Sequence, residues 1–189
     1  MTDTAPSSTA TTTDAATTPA VGEREELVAI LTKHRYLFLV TTQGLSDEQA
    51  RLTPTVSVLS IGGLVKHVTA TVAEWLDFVE RGPQQGGDID WENPDPSIFE
   101  AFANGFRLLP DETLDGVLAE WQTVTERSDA LIRSVDLDQT HPLPQAPWFE
   151  AGEVWSNRRV FWHVLAETAQ HAGHADILRE SIDGQKTMG

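Results

Sequence analysis

Four stretches of this chain repeat apolar residues at three- and four-residue steps over twenty residues or more, and none alternates well with a period of two. The steps place side chains on one face of an α-helix, so each stretch predicts an amphipathic helix. The first covers residues 23–43, with Leu27, Ile30, Leu31, Leu37, Phe38 and Val40. The second runs from Ser60, a suitable N-cap, to Arg81, with Ile61, Leu64, Val65, Val68, Val72, Leu76 and Val79 as its stripe. Gly82-Pro83 ends it, because glycine accepts a left-handed cap and proline cannot continue a helix. The third spans Asp111 to Val135, and the last runs from Asn157 to Ile182 before Asp183-Gly184. Four apolar stripes bury one another most simply as an all-α four-helix bundle. A mixed fold would need strands at 51–60 or 136–156, where the alternation is poor.

The connections are long. Ser46-Asp47-Glu48-Gln49 has the form of a capping box and predicts a short helical turn. Residues 83–97 read as a loop, a short helix is expected at 98–107, and residues 136–156 contain three prolines. Long loops in compact domains commonly cover a site. Residues 1–20 hold eight Thr, five Ala, two Ser and two Pro, with no basic or aromatic residue. Such a run buries too little apolar surface to offset its ordering entropy, so a disordered tail is expected before a single helical-bundle domain at 21–189.

Charge and cysteine usage narrow the function. Acidic residues outnumber basic ones 29 to 13, a formal net charge of −16, which disfavours nucleic acid and anionic membrane as partners and leaves small molecules. No apolar run approaches the length of a membrane span, and the first residues lack the basic start and apolar stretch of a signal peptide, so the cytoplasm is the expected location. Cysteine is absent, which excludes disulfides, iron–sulfur clusters, thiolate metal sites and a cysteine nucleophile. Any metal must be held by Asp, Glu or the six His.

The last helix carries the strongest chemical signal. With His163 set at zero, about 100° per residue puts Glu167 near 40°, Gln170 near −20°, His171 near 80° and His174 near 20°. A solvated helix face normally mixes Lys, Arg and Glu, whereas this stripe holds three His, a Glu and a Gln. Side chains four residues apart reach a common ion. Spacing alone does not rank Glu167 against His163. His67 on the second helix is the best third ligand, and Glu74, seven residues on, is placed to orient a ligand. Three protein ligands with an open fourth position mark a catalytic divalent-metal site. His34 has no partner at ligand spacing and His141 precedes a proline, so both are expected to be structural or solvated. Gly62-Gly63 suggests close helix packing, Trp75 and Trp162 flank the site, and Arg158 and Arg159 are either solvated or anion-binding.

These residues resemble a known group. Ile61-Gly-Gly-Leu-Val-Lys-His67 with Glu74-Trp75 is similar to the second helix of the DinB-like (YfiT-like) metal-dependent superfamily. The run from Glu167-Thr-Ala-Gln-His171-Ala-Gly-His174 to Gly184 resembles its actinobacterial branch, near the mycothiol-dependent S-transferases. The Glu-Thr-Ala-x-His pattern is similar to that of mycothiol-dependent maleylpyruvate isomerase. The resemblance covers residues 22–184 and implies a bundle holding one divalent ion, zinc or nickel, on His67, Glu167 and His171. It thereby selects Glu167 over His163. His174 stands where many relatives have Gln, which implies a supporting position. The resemblance also implies homodimers and transfer chemistry with a low-molecular-weight thiol.

The expected function is therefore a metal-dependent thiol S-transferase or related isomerase, with mycothiol or a similar thiol as cosubstrate. His163 and His174 are the candidate proton carriers. The alternatives are a hydrolase acting through metal-bound water and a non-enzymatic metal-binding bundle.

Overall fold

The computed structural model describes residues 22–83, 91 and 93–188. The expected tail at 1–20 and most of the 83–97 loop lie outside the described residues. The long helices are α1 (Glu23–Val40), α3 (Ile61–Arg81), α5 (Leu114–Ser134) and α6 (Asn157–Asp183). Short helices α2 (Asp47–Ala50) and α4 (Pro96–Gly105) and strands β1 (Thr140–Pro142) and β2 (Val154–Ser156) lie in the connections. Helix α1 packs on α6 and α5, and α3 packs on α5 and α6. The four long helices thus form a ring in the order α1, α6, α3, α5, with α1 diagonal to α3. This is the all-α bundle that the periodicity requires.

The caps follow local chemistry. Ser60 accepts a hydrogen bond from the Gly63 N–H, and Ser46 and Gln49 form the reciprocal capping box. Helix α5 starts three residues later than expected, because the Thr113 hydroxyl, rather than Asp111, accepts from the Gly116 N–H. Helix α4 starts two residues earlier, because Asp95 caps it and Pro96 occupies its first turn, where no N–H is needed. Gly184 closes α6 at φ 79°, a conformation that glycine adopts without penalty.

The 136–156 connection was expected to lack strands. Its two ends instead pair antiparallel as β1 and β2, with His141 opposite Trp155. Three residues per strand are too few for an alternation to show in the sequence. The pairing closes the intervening residues into a flap that packs Leu143 and Phe149 against the core and whose stem runs directly into α6.

The core is the shared interior of the ring. Leu31 and Phe38 of α1, Leu64, Val68 and Leu76 of α3, Ile132 of α5 and Phe161 of α6 are fully buried. Each such side chain stabilises the fold by about 1.5–3 kcal/mol. Phe38 meets Trp121 edge-on at 5.3 Å. Two buried arginines tie elements together. Arg35 donates to Asp129 and Ser128, joining α1 to α5. Arg179 donates to the carbonyls of Thr41 and Gln43 and pairs with Asp183, joining the ends of α1 and α6.

Candidate metal centre

The seam between α3 and α6 holds the cluster. Helix α6 buries Val160, Phe161, Val164, Thr168, Ala172, Ala175 and Leu178, whose directions centre near 120° on the scale used above. The polar stripe lies on one flank of that row, neither in the core nor in open solvent. Side-chain exposure rises with angular distance from the core, from 12% at His171 to 24% at Glu167 and 31% at His163. Gln170 lies farthest round and is exposed, so it takes no part in the site.

His67 on α3 faces this seam. One ligand-capable atom from each of His67, Glu167 and His171 lies within 4.8 Å of the other two. His163 stays outside that group, with its Nε2 at 3.7 Å from Glu167 Oε1. His171 turns Nε2 toward Glu167 Oε2 at 3.5 Å, and its Nδ1 lies 3.5 Å from His174 Nδ1. Of Glu167 and His163, which spacing alone does not rank, only Glu167 belongs to the group with His67 and His171.

His67 is held from behind. Its ring stacks on Phe106 with centroids 3.8 Å apart. Phe106 follows α4, and its carbonyl oxygen passes so close to Gly63 that a β-carbon there would lie 2.0 Å away. At Gly62, an added β-carbon would meet Leu108 and the Ala50 carbonyl oxygen at 3.0 and 3.1 Å. The Gly-Gly pair is a packing device, as expected, and it sets the ring that orients His67. Glu74, expected to orient a ligand, lines a neighbouring pocket together with His163 and Glu167.

The electrostatics suit cation binding. Burial pushes His67 down to about 4, aided by the neighbouring His171, so its ring is neutral with a free lone pair at neutral pH. Burial likewise lowers His163, opposed by Glu167. The hydrogen bond with His171 holds the Glu167 carboxyl below its ordinary range, so it is ionised. Two imidazoles and one carboxylate, converging and half-buried, form a donor set that fits a divalent cation.

A cavity of about 530 Å³ opens beside Glu167 and His163. Its walls include Trp75 and Phe78 of α3 and Pro144, Trp148 and Phe149 of the flap. Trp75 is stacked on Trp155 at 4.9 Å with planes 7° apart. Trp162 is half exposed and lies outside this wall, so only one of the two expected tryptophans flanks the site. Phe106, Phe149 and Trp155 were not singled out from the sequence. The only signal for the last two was the length of their connection. Arg158 pairs with Glu23 and Asp138, and Arg159 pairs with Glu153 and lies over the Trp155 ring. His141 packs edge-on against Phe78 in the flap stem, a structural place.

The family model described as mycothiol-S-transferase matches residues 26–184. The chain belongs to the mycothiol-S-transferase family. The match contains the four long helices except the first turn of α1, together with the flap and every residue of the cluster. No curated protein matches the chain. Among solved structures, a conserved protein from Enterococcus faecalis aligns with a TM-score of 0.65 at 10% identity, covering 88% of this chain and 100% of that one. That likeness shows the fold alone. No helix among the described residues is long and apolar enough to cross a membrane.

Proposed function

We propose that this mycothiol-S-transferase family member transfers a low-molecular-weight thiol, mycothiol or a close analogue, to a small electrophile. The observation that carries the proposal is the convergence of His67, Glu167 and His171 beside a cavity large enough for a small substrate. A divalent cation, zinc or nickel, held by these three side chains would lower the pKa of the cosubstrate thiol, so that thiolate is available near neutral pH.

The chain's own residues do the rest. His67 offers a neutral nitrogen, His171 brings the second imidazole, and Glu167 offers the single negative charge. His163 lines the cavity beside Glu167, where burial favours its neutral ring, and in this reading it accepts the proton that the thiol gives up. His174 is set to fix the ring of His171. If His171 uses Nε2 as donor atom, its Nδ1–H donates to His174 Nδ1. We read His174 as a positioning residue and His163 as the catalytic one. The flap forms one wall of the cavity. Because the cosubstrate brings the sulfur, the chain needs no cysteine.

The test is turnover of monobromobimane with mycothiol by the zinc-loaded protein, against the chelated protein and a His67→Ala variant. Metal-dependent thiol consumption, lost in the variant, is the expected result. No thiol consumption with one equivalent of metal bound overturns the proposal. Equal turnover with and without thiol would replace it with a hydrolase.

A further inference from the structure

A second cavity, of about 550 Å³, opens at the start of α3 and shares no lining residue with the aromatic one. Arg51 and Arg107 line it, and no carboxylate among the described residues does. Among the described residues, Arg107 is the one arginine whose guanidinium makes neither a hydrogen bond nor an ion pair with the chain. Arg51 is anchored through Nη2, which donates to the carbonyls of Leu109 and Glu112. Its enclosed Nε has no acceptor among the described residues. The neighbouring hydroxyls are set as donors. The oxygens of Thr55, Ser57 and Ser60 accept from the N–H groups of Ser57, Leu59 and Gly63, which leaves each O–H to donate elsewhere. Glu48 and Glu112 lie near Arg51 but do not line the cavity, and Glu112 is held by Lys66 and the Leu109 N–H. A concave site of two guanidiniums and three hydroxyl donors is complementary to an oxyanion. The chain's net charge of −16 opposes this only weakly, because charges more than about 8–10 Å away are largely screened.

We propose that this second cavity binds the phosphoryl group of a small phosphate ester. The two guanidiniums match the double charge of a phosphate monoester, and its three terminal oxygens use more of the available donors than the two of a carboxylate would. The start of α3 adds the positive end of a long helix dipole on the same side, since Ser60 is both the N-cap and a lining residue. The cavity is far larger than a phosphate group alone. Val56 and Val58, both exposed and both lining it, give the organic part of the ester an apolar surface. This assignment does not rest on the thiol-transfer reading, because none of its residues belongs to the metal cluster or to the aromatic cavity.

Binding is read by isothermal titration calorimetry on the full-length protein, both zinc-loaded and after chelation and dialysis. The probes are n-butyl phosphate, inorganic phosphate and butan-1-ol. The ester is expected to bind once per chain in both preparations, more tightly than inorganic phosphate, while the alcohol does not bind. Arg107→Gln should weaken the ester about tenfold or more, the loss of one charge-assisted contact. Its circular dichroism should stay unchanged, because that side chain is exposed and holds nothing else in the fold. Ser57→Ala should weaken the ester by about two- to tenfold, as the loss of one neutral hydrogen bond does. Phe149→Ala, in the other cavity, should leave the affinity as it was. No binding of the ester, an affinity indifferent to Arg107→Gln, or inorganic phosphate binding as tightly as the ester would overturn the proposal. Binding that disappears with the metal would overturn it too, by placing the anion on the ion of the His67 cluster.

Discussion

His174 lies outside the three-residue cluster, and its Nδ1 faces that of His171 at 3.5 Å. Partners of this kind typically hold a ligand's tautomer and are worth about 10–100-fold in metal affinity. His174→Ala should therefore weaken zinc binding by that factor, measured by competition with a chromophoric chelator. His174→Gln, which retains an acceptor, should restore much of it. A proton carrier would instead lower kcat with zinc affinity unchanged. Gly63 has no chemistry at all, but its missing β-carbon admits the Phe106 carbonyl and so seats the ring behind His67. Gly63→Ala should cost about 1–3 kcal/mol in urea unfolding by forcing that backbone away, and should loosen zinc binding as well. The role of Gly63 was only half legible beforehand. A Gly-Gly pair on a helix announces close packing, but not what packs there.

At the scale of elements, the flap and the helix ends behave as separate devices. Pro144, Trp148 and Phe149 reach the cavity from the segment between β1 and β2, whereas the side chains of the candidate metal cluster belong to α3 and α6. Replacing residues 144–152 with a short Gly-containing turn should leave zinc stoichiometry at one per chain, by elemental analysis, and abolish binding of apolar ligands. The end of α6 depends on pH in a defined sense. The Arg179 guanidinium, then the Gln185 N–H, holds the Asp183 carboxyl below its ordinary value of 3.8. The folded chain thus prefers the carboxylate more strongly than the unfolded chain does. The contribution is present in full above that value and is lost as pH falls through the lowered one. The melting-temperature difference between the protein and Asp183→Asn should hold steady from pH 7 to 5 and shrink below pH 4.

For the whole molecule, the apolar interior runs through all four long helices. The cluster sits on one seam of that bundle rather than at its centre. Chelation should leave far-ultraviolet circular dichroism unchanged. The melting temperature should fall only by the linkage of binding to folding, about 2.7 kcal/mol at a hundredfold excess of metal over Kd, or roughly 5–10 °C for a chain this size. Collapse of the helical signal on chelation would instead mark a metal that holds the helices together, the non-enzymatic alternative.

What the sequence determined by itself is local and periodic. Apolar spacing, capping residues and the turn glycines specify four long helices, because each depends on neighbours within a few positions. The same periodicity puts His163, Glu167, His171 and His174 on one stripe of α6, since a single helix fixes their angles. Tertiary structure alone decided which of them meet His67, because that depends on how far α3 slides along α6, and no periodic pattern records an axial offset between two helices. It also decided that Gln170 faces away and that Glu74 lines the cavity instead of His67. The aromatic cavity was least legible of all. Trp75, Phe149 and Trp155 lie up to eighty positions apart, and only the pairing of β1 with β2 brings them to one wall.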